Sequence, residues 1–136
     1  MDIKNLSVMI KSIIESIEGC YTTTTEKKGL GFVPKNKWNI KWGQIDVNDQ
    51  KIRIVLDTMP GKYTRELIEN ILDIPEKHKG SKKTGYFIKK TDKSIPFYDA
   101  IEISIYHDYQ KNIPTKELLE FIKTCARESS FKTKAS

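Results

Sequence analysis

The chain is poor in the residues that carry chemistry: two cysteines, two histidines and two tryptophans occur among 136 residues. It also lacks long apolar runs, the longest being about three residues, far short of the roughly 18 needed to span a bilayer. A soluble globular domain is the expectation. Cys20 and Cys125 stand far apart, and neither belongs to a Cys-x-x-Cys or Cys/His cluster. Zinc and thioredoxin-type redox chemistry therefore have no ligand or thiol pair to use. Both thiols are expected to be buried and inert, because free cysteine packs as a small hydrophobe. The opening residues, Met-Asp-Ile-Lys-Asn, show no basic n-region or apolar h-region of a secretory signal. A reduced, cytoplasmic protein follows as an expectation.

Arginine is scarce as well: Arg53, Arg65 and Arg127 stand against 21 lysines, in a chain of net charge +6. Nineteen isoleucines beside those lysines match the amino-acid usage of an AT-rich genome, which raises the net charge without selecting for an anionic partner. Position says more than the total. Residues 27–41 hold Lys27, Lys28, Lys35, Lys37 and Lys41 with no acid, and residues 76–93 hold seven lysines against Glu76 and Asp92. The rest of the chain is mildly acidic, and two basic segments on such a background are a pattern that genome bias does not predict.

At this length one domain is expected, large enough to bury a core without disulfide or metal support. Apolar residues at helical spacing predict a helix over 3–17, closed by Gly19 as its C-cap. Strand composition follows over 20–25, with a short return strand over 30–33 that Pro34 is expected to stop. Alternation from Trp38 through Ile40 and Trp42, resuming at Ile45 and Val47, predicts one bent or bulged strand. Asn48-Asp49 turns the chain into a strand over 51–57. A short helix over 63–72 starts with Thr64 as N-cap. Residues 73–84 are breaker-rich and read as an exposed basic loop. Strands over 85–90 and 99–106 come next, then a final helix capped by Thr115, with Leu118, Leu119, Phe121, Ile122 and Cys125 as its apolar face. The order α-β-β-β-β-α-β-β-α predicts an α+β domain over 1–128, an antiparallel sheet with helices on one face, and a frayed tail over 129–136.

Four constellations carry possible chemistry. In Lys35-Asn36-Lys37-Trp38-Asn39-Ile40-Lys41-Trp42, lysines interleave with both tryptophans. Single-stranded nucleic acid is held by basic grooves with aromatic platforms, so Lys35, Lys37, Lys41, Trp38 and Trp42 are candidate binding residues. The alternation nonetheless favours both tryptophans in the core, with Lys37 and Lys41 solvated on the other face. The second constellation is Lys77, Lys79, Lys82 and Lys83, followed by Lys89, Lys90 and Lys93, which could track a phosphate backbone or meet an acidic protein, although a solvated surface loop is the favoured reading.

The third is His107-Asp108 with Asp99 and Glu102. Odd spacing on a strand sends Asp99 and Glu102 to opposite faces, so capping and turn roles outweigh acid/base or metal chemistry. His78 sits in the basic loop with no ligand partner in sequence. The fourth is a magnesium-dependent nuclease set, which needs Glu-x-Lys on a strand. The strand after Asp46 reads Lys-Ile-Arg-Ile-Val-Leu-Asp and lacks it. Gly29-Leu30-Gly31 has no following Gly-Lys-Ser/Thr and is a turn signal, not a phosphate cradle.

The order Phe32-x-Pro34 with Lys35 and Trp38, then Ile45-Asp46-Val47 and the strand over 51–56, then a late strand and amphipathic helix, looks like that of small α+β domains in bacterial proteins. The likeness brings no residue role with it. The expected function is a non-catalytic nucleic-acid-binding module without a cofactor. The alternative is a small protein-binding adaptor or inhibitor of the kind mobile elements encode, meeting a partner with an acidic surface.

Overall fold

A computed structural model describes residues 2–24, 31–73, 86–90 as backbone, 97–106 and 114–133. In chain order the elements are α1 (Ile3–Glu15), β1 (Tyr21–Thr24), β2 (Phe32–Lys35), β3 (Gly43–Val47), β4 (Lys51–Thr58), α2 (Arg65–Ile71), β5 (Tyr86–Lys90), β6 (Asp99–Tyr106) and α3 (Thr115–Glu128). The strands form one antiparallel sheet in the order β1-β2-β3-β4-β6-β5. This is the α+β architecture that the element order predicts.

The spine of the sheet is the β4–β6 pairing, which runs from Lys51↔Tyr106 to Thr58↔Asp99. Strand alternation puts Ile52, Ile54 and Leu56 on the same face as Ile101, Ile103 and Ile105, and all six are buried. Ile45 extends that face from β3, where it lies opposite Ile54. Leu6, Ile10 and Ile14 of α1 and Leu118, Phe121 and Ile122 of α3 close over it in a single core. Each such side chain contributes about 1.5–3 kcal/mol on burial. Gln44, Asp46, Arg53 and Glu102 occupy the opposite face by the same alternation. There Arg53 pairs with Asp46 at 3.6 Å and with Glu102, and partly exposed pairs of this kind are worth roughly 0–1 kcal/mol each.

Helix α1 is capped by Asp2, whose carboxylate accepts from the Asn5 N–H at 2.7 Å. It ends at Glu15, earlier than the apolar spacing suggests, and Gly19 lies in the following turn with φ +84°. Thr64 caps α2 as expected, accepting from the Leu67 N–H at 3.1 Å. Helix α3 begins at Thr115 with Pro114 in the cap position, one residue earlier than the expected cap.

Three expectations are corrected. Pro34 lies within β2 instead of ending it. Its carbonyl accepts from Trp42 N–H at 3.1 Å, while the Trp42 carbonyl accepts from Asp57 N–H at 2.8 Å. The donor that proline lacks is thus supplied to Trp42 by β4, and an interior proline costs no ladder bond there. The bent strand over 38–47 is instead a turn at residues 37–39, a bridge at Lys41 and a regular strand only from Gly43. The tail expected to fray is packed through residue 132: Ser129–Phe131 form a 3-10 turn, and Ser129 and Lys132 are buried.

Candidate nucleic-acid interface

The turn between β2 and β3 is built around Asn36. This side chain is 1% exposed, and its Oδ1 accepts from the Trp38 N–H at 2.9 Å and the Ile40 N–H at 3.1 Å. Its backbone N–H donates to the Ile40 carbonyl, and its carbonyl accepts from Asn39 N–H. Asn39 completes the turn with φ +60°, a conformation that asparagine tolerates better than most residues. On the α1 side the turn rests on Gly19, where an added Cβ would stand 3.1 Å from the Lys37 Cβ.

This turn separates the two tryptophans. Trp38 at its tip is 48% exposed, whereas Trp42 is fully buried in the core. Alternation fails to place them together because the chain reverses between them. The expectation that Trp42 could stack on a base is corrected on that ground: its ring faces no solvent. The competing expectation, that both are core residues, fails for Trp38.

Around Trp38 the register assembles a basic and aromatic corner. Lys35 lies opposite Tyr21 on one side and opposite Lys41 on the other, and residues directly opposite across a ladder project from the same face. Phe32, three residues earlier, is buried on the helix-covered face, so Tyr21, Lys35 and Lys41 project from the open one. Tyr21 is exposed, and its hydroxyl donates to the Asn39 side chain in the turn. The Lys37 ammonium lies 5.0 Å from the centroid of the Trp38 ring, a cation–π contact. Lys41 donates to the Gln44 side chain at 2.9 Å. Among the described residues, no ion pair engages Lys35, Lys37 or Lys41. Chemically the corner offers one flat π face, a phenol and three ammonium groups.

Of the second basic segment, only Lys89 and Lys90 lie within the described residues. Lys77, Lys79, Lys82 and Lys83 lie outside the described residues, as do Lys27, Lys28, His78, His107 and Asp108. Lys89 and Lys90 belong to β5, in register with Ala100 and Asp99. That strand forms the far edge of the sheet from β1, four strand spacings from β2, or about 19 Å. The two acids weighed for chemistry have structural partners: Asp99 accepts from the Gly61 N–H at 2.8 Å, and Glu102 pairs with Arg53.

Elsewhere, an open cavity of about 270 Å³ lies against α3, with Tyr63, Ile71 and Phe121 among its lining and Lys116, Glu117 and Glu120 beside them. Burial pushes the Tyr63 hydroxyl up to about 12, assisted by Cys125 and Glu128. Burial likewise pushes the Cys125 thiol up to about 12, so it stays protonated and unreactive at neutral pH. Cys20 is only half-buried, and its thiol donates to the Ala126 carbonyl at 3.4 Å. Among the described residues, no three His, Cys, Asp or Glu side chains converge as metal ligands, and no helix is long and apolar enough to cross a membrane.

Two features escape sequence reading. Tyr21 joins the corner only through strand register. The signal for the turn is present in the sequence as Asn36 and Asn39 three positions apart, both turn-forming residues, but the apolar alternation masks it. No protein-family model, curated protein or solved structure matches the chain, so the residues of the site carry the functional reading by themselves.

Proposed function

We propose that the protein is a non-catalytic module that binds single-stranded nucleic acid at the corner formed by Trp38, Tyr21, Lys35, Lys37 and Lys41. The observation that carries this reading is the half-exposed Trp38 ring, held out by a hydrogen-bonded turn beside the Lys37 ammonium, with Lys35 and Lys41 facing each other at the base of the turn and, among the described residues, none of the three lysines in an ion pair. An unstacked base can lie on such a ring, for about 1–3 kcal/mol per base. Bases in a duplex are already stacked, so single strands are favoured over paired ones. The cations are all lysines, point charges that neutralise phosphate without the bidentate fork that reads base edges, which makes for sequence-tolerant binding. The two free thiols, Cys20 and Cys125, fit a reducing cytoplasm as the site of action. Lys89 and Lys90 would give a longer strand a second contact at the far edge of the sheet.

The test is an anisotropy titration with labelled single-stranded and duplex DNA and RNA at about 50 and 200 mM salt, with tryptophan fluorescence recorded in parallel. Trp38 is the accessible tryptophan, so quenching by the ligand reports on this corner alone. Single-strand binding that weakens with salt, quenches fluorescence and is lost in Trp38→Ala supports the reading. No binding at the lower salt overturns it and leaves a protein partner with an acidic surface as the alternative.

A further inference from the structure

Asn36 uses its whole hydrogen-bonding capacity, and only half of it serves the turn. Its Oδ1 holds the Trp38 and Ile40 N–H groups, while its Nδ2 donates to the Ser129 carbonyl and the Lys132 carbonyl, each at 2.8 Å. One buried amide therefore ties the tip that presents Trp38 to the 3-10 turn that follows α3. That turn is secured from its other end. The Lys132 ammonium reaches Asp57 at 2.6 Å and lies 3.9 Å from the centroid of the Tyr98 ring. Asp57 is in turn bonded through its backbone N–H to the Trp42 carbonyl, directly beside the bridge residue Lys41.

We propose that residues 129–132 support the binding corner without touching the ligand: the C-terminal turn and the Trp38 turn open and close as one unit, with Asn36 as the positioning residue that couples them. The physical reason is that neither half can leave alone without orphaning buried polar groups. If the C-terminal turn lifts away, the Asn36 Nδ2 is left without partners inside the protein. If Asn36 rotates to follow it, the Trp38 and Ile40 N–H groups lose theirs. Buried polar groups without partners are costly, and the cost falls on both segments at once. Coupling of this kind is reciprocal. A ligand that fixes the Trp38 turn must tighten the C-terminal turn to the same degree, and anything that displaces the C-terminal turn must weaken the ligand. The ligand half of this inference rests on the proposed nucleic-acid reading; the mechanical half does not.

Native-state hydrogen exchange on the unmodified chain, across low denaturant concentrations, tests the mechanical half. The Trp38, Ile40 and Lys132 amides are expected to merge onto one opening transition below that of the Ile54 amide in β4. Separate transitions for the Trp38 and Lys132 amides overturn the coupling. A full-length Asp57→Asn/Lys132→Met variant supplies the second arm, because it removes the anchoring charges together and strands neither. In it, Trp38 and Ile40 exchange is expected to quicken about tenfold, with Ile54 unchanged. Quickening at Lys132 alone overturns the proposal. If that variant unfolds as a whole, the exchange pattern of the unmodified chain decides. The ligand arm uses a labelled single-stranded oligonucleotide, whose affinity for the double variant is expected to fall several-fold although no ligand-facing residue has changed. A chain that binds no oligonucleotide yet shows the merged transition refutes the function and keeps the coupling; unchanged affinity with separate transitions refutes the coupling alone.

Discussion

Trp38 and Trp42 share a side chain, and their surroundings give substitutions at the two positions opposite consequences. Removing the buried ring, Trp42→Ala, empties the core beside β2 and β4 and is expected to cost about 3–5 kcal/mol of stability. Trp38→Ala removes an exposed ring and is expected to leave the denaturation midpoint nearly unchanged, within about 0.5 kcal/mol, while weakening single-strand binding by about 1–3 kcal/mol. Urea titration and anisotropy on the two variants check both halves. A large stability loss in Trp38→Ala would show that the ring is structural and remove the case for a stacking platform. Asp57 supplies a pH test at the same scale. Burial raises its pKa above the ordinary 3.8, and the hydrogen bond and charge of Lys132 offset this only in part. A carboxyl whose pKa is raised on folding holds its proton more tightly in the native state, so its contribution is fullest below pH 3.8 and is lost as pH rises through the raised value. The stability of the unmodified protein relative to Asp57→Asn is therefore expected to fall as pH rises from about 4. A relative stability that rises instead would mean the ion pair with Lys132 outweighs the burial of the carboxylate.

At the scale of elements, the join between β2, β3 and β4 is closely packed at Gly43. An added Cβ at Gly43 would stand 2.4 Å from the Val55 carbonyl oxygen and 3.2 Å from the Pro34 Cγ. The first is a backbone atom in a paired strand and cannot swing aside. Gly43→Ala is expected to destabilise the protein by about 1–3 kcal/mol, with faster amide exchange in β3 and β4 near residue 43 than at their Asn48 end. Full stability in that variant would mean the three strands can separate there freely. The short helix α2 depends more on its cap than a long one does. Its seven residues follow Thr64, which holds the Leu67 N–H, and Thr64→Ala is expected to cost about 1 kcal/mol in a denaturant titration.

For the whole molecule the decisive matter is where the charge lies. Among the described residues the lysines of the two basic segments lie apart: Lys35, Lys37 and Lys41 gather at the β2–β3 turn, and Lys89 and Lys90 belong to the edge strand β5. A short single strand bound at the Trp38 corner alone should release counterions from about three phosphates, giving a slope of log affinity against log salt near −2. Reversing Lys89 and Lys90 to glutamate should spare such short strands and weaken longer ones able to cross the sheet. Equal loss for both lengths would mean the two edges act on the same stretch of ligand. An anisotropy series over oligonucleotide length and salt separates these outcomes.

Wherever local periodicity met no competing signal, the sequence by itself determined the element. The apolar spacing of α1 and α3, the strict alternation of β4 and β6 and the threonine cap of α2 each follow from residues close together in the chain, because helical and extended backbones impose periods of 3.6 and 2 on whatever must be buried. Those periods also made the α+β class legible. Tertiary structure decided the rest. Proline tolerance within β2 depends on where the Trp42 carbonyl points, and that is set by β4. The exposure of Trp38 depends on a reversal at Asn36 and Asn39 that interrupts an alternation otherwise fit for a strand. The burial of Lys132 depends on a carboxylate 75 positions earlier, which no local pattern can register. Tyr21, Lys35 and Lys41 became neighbours through ladder register, a pairing between segments that sequence spacing leaves open.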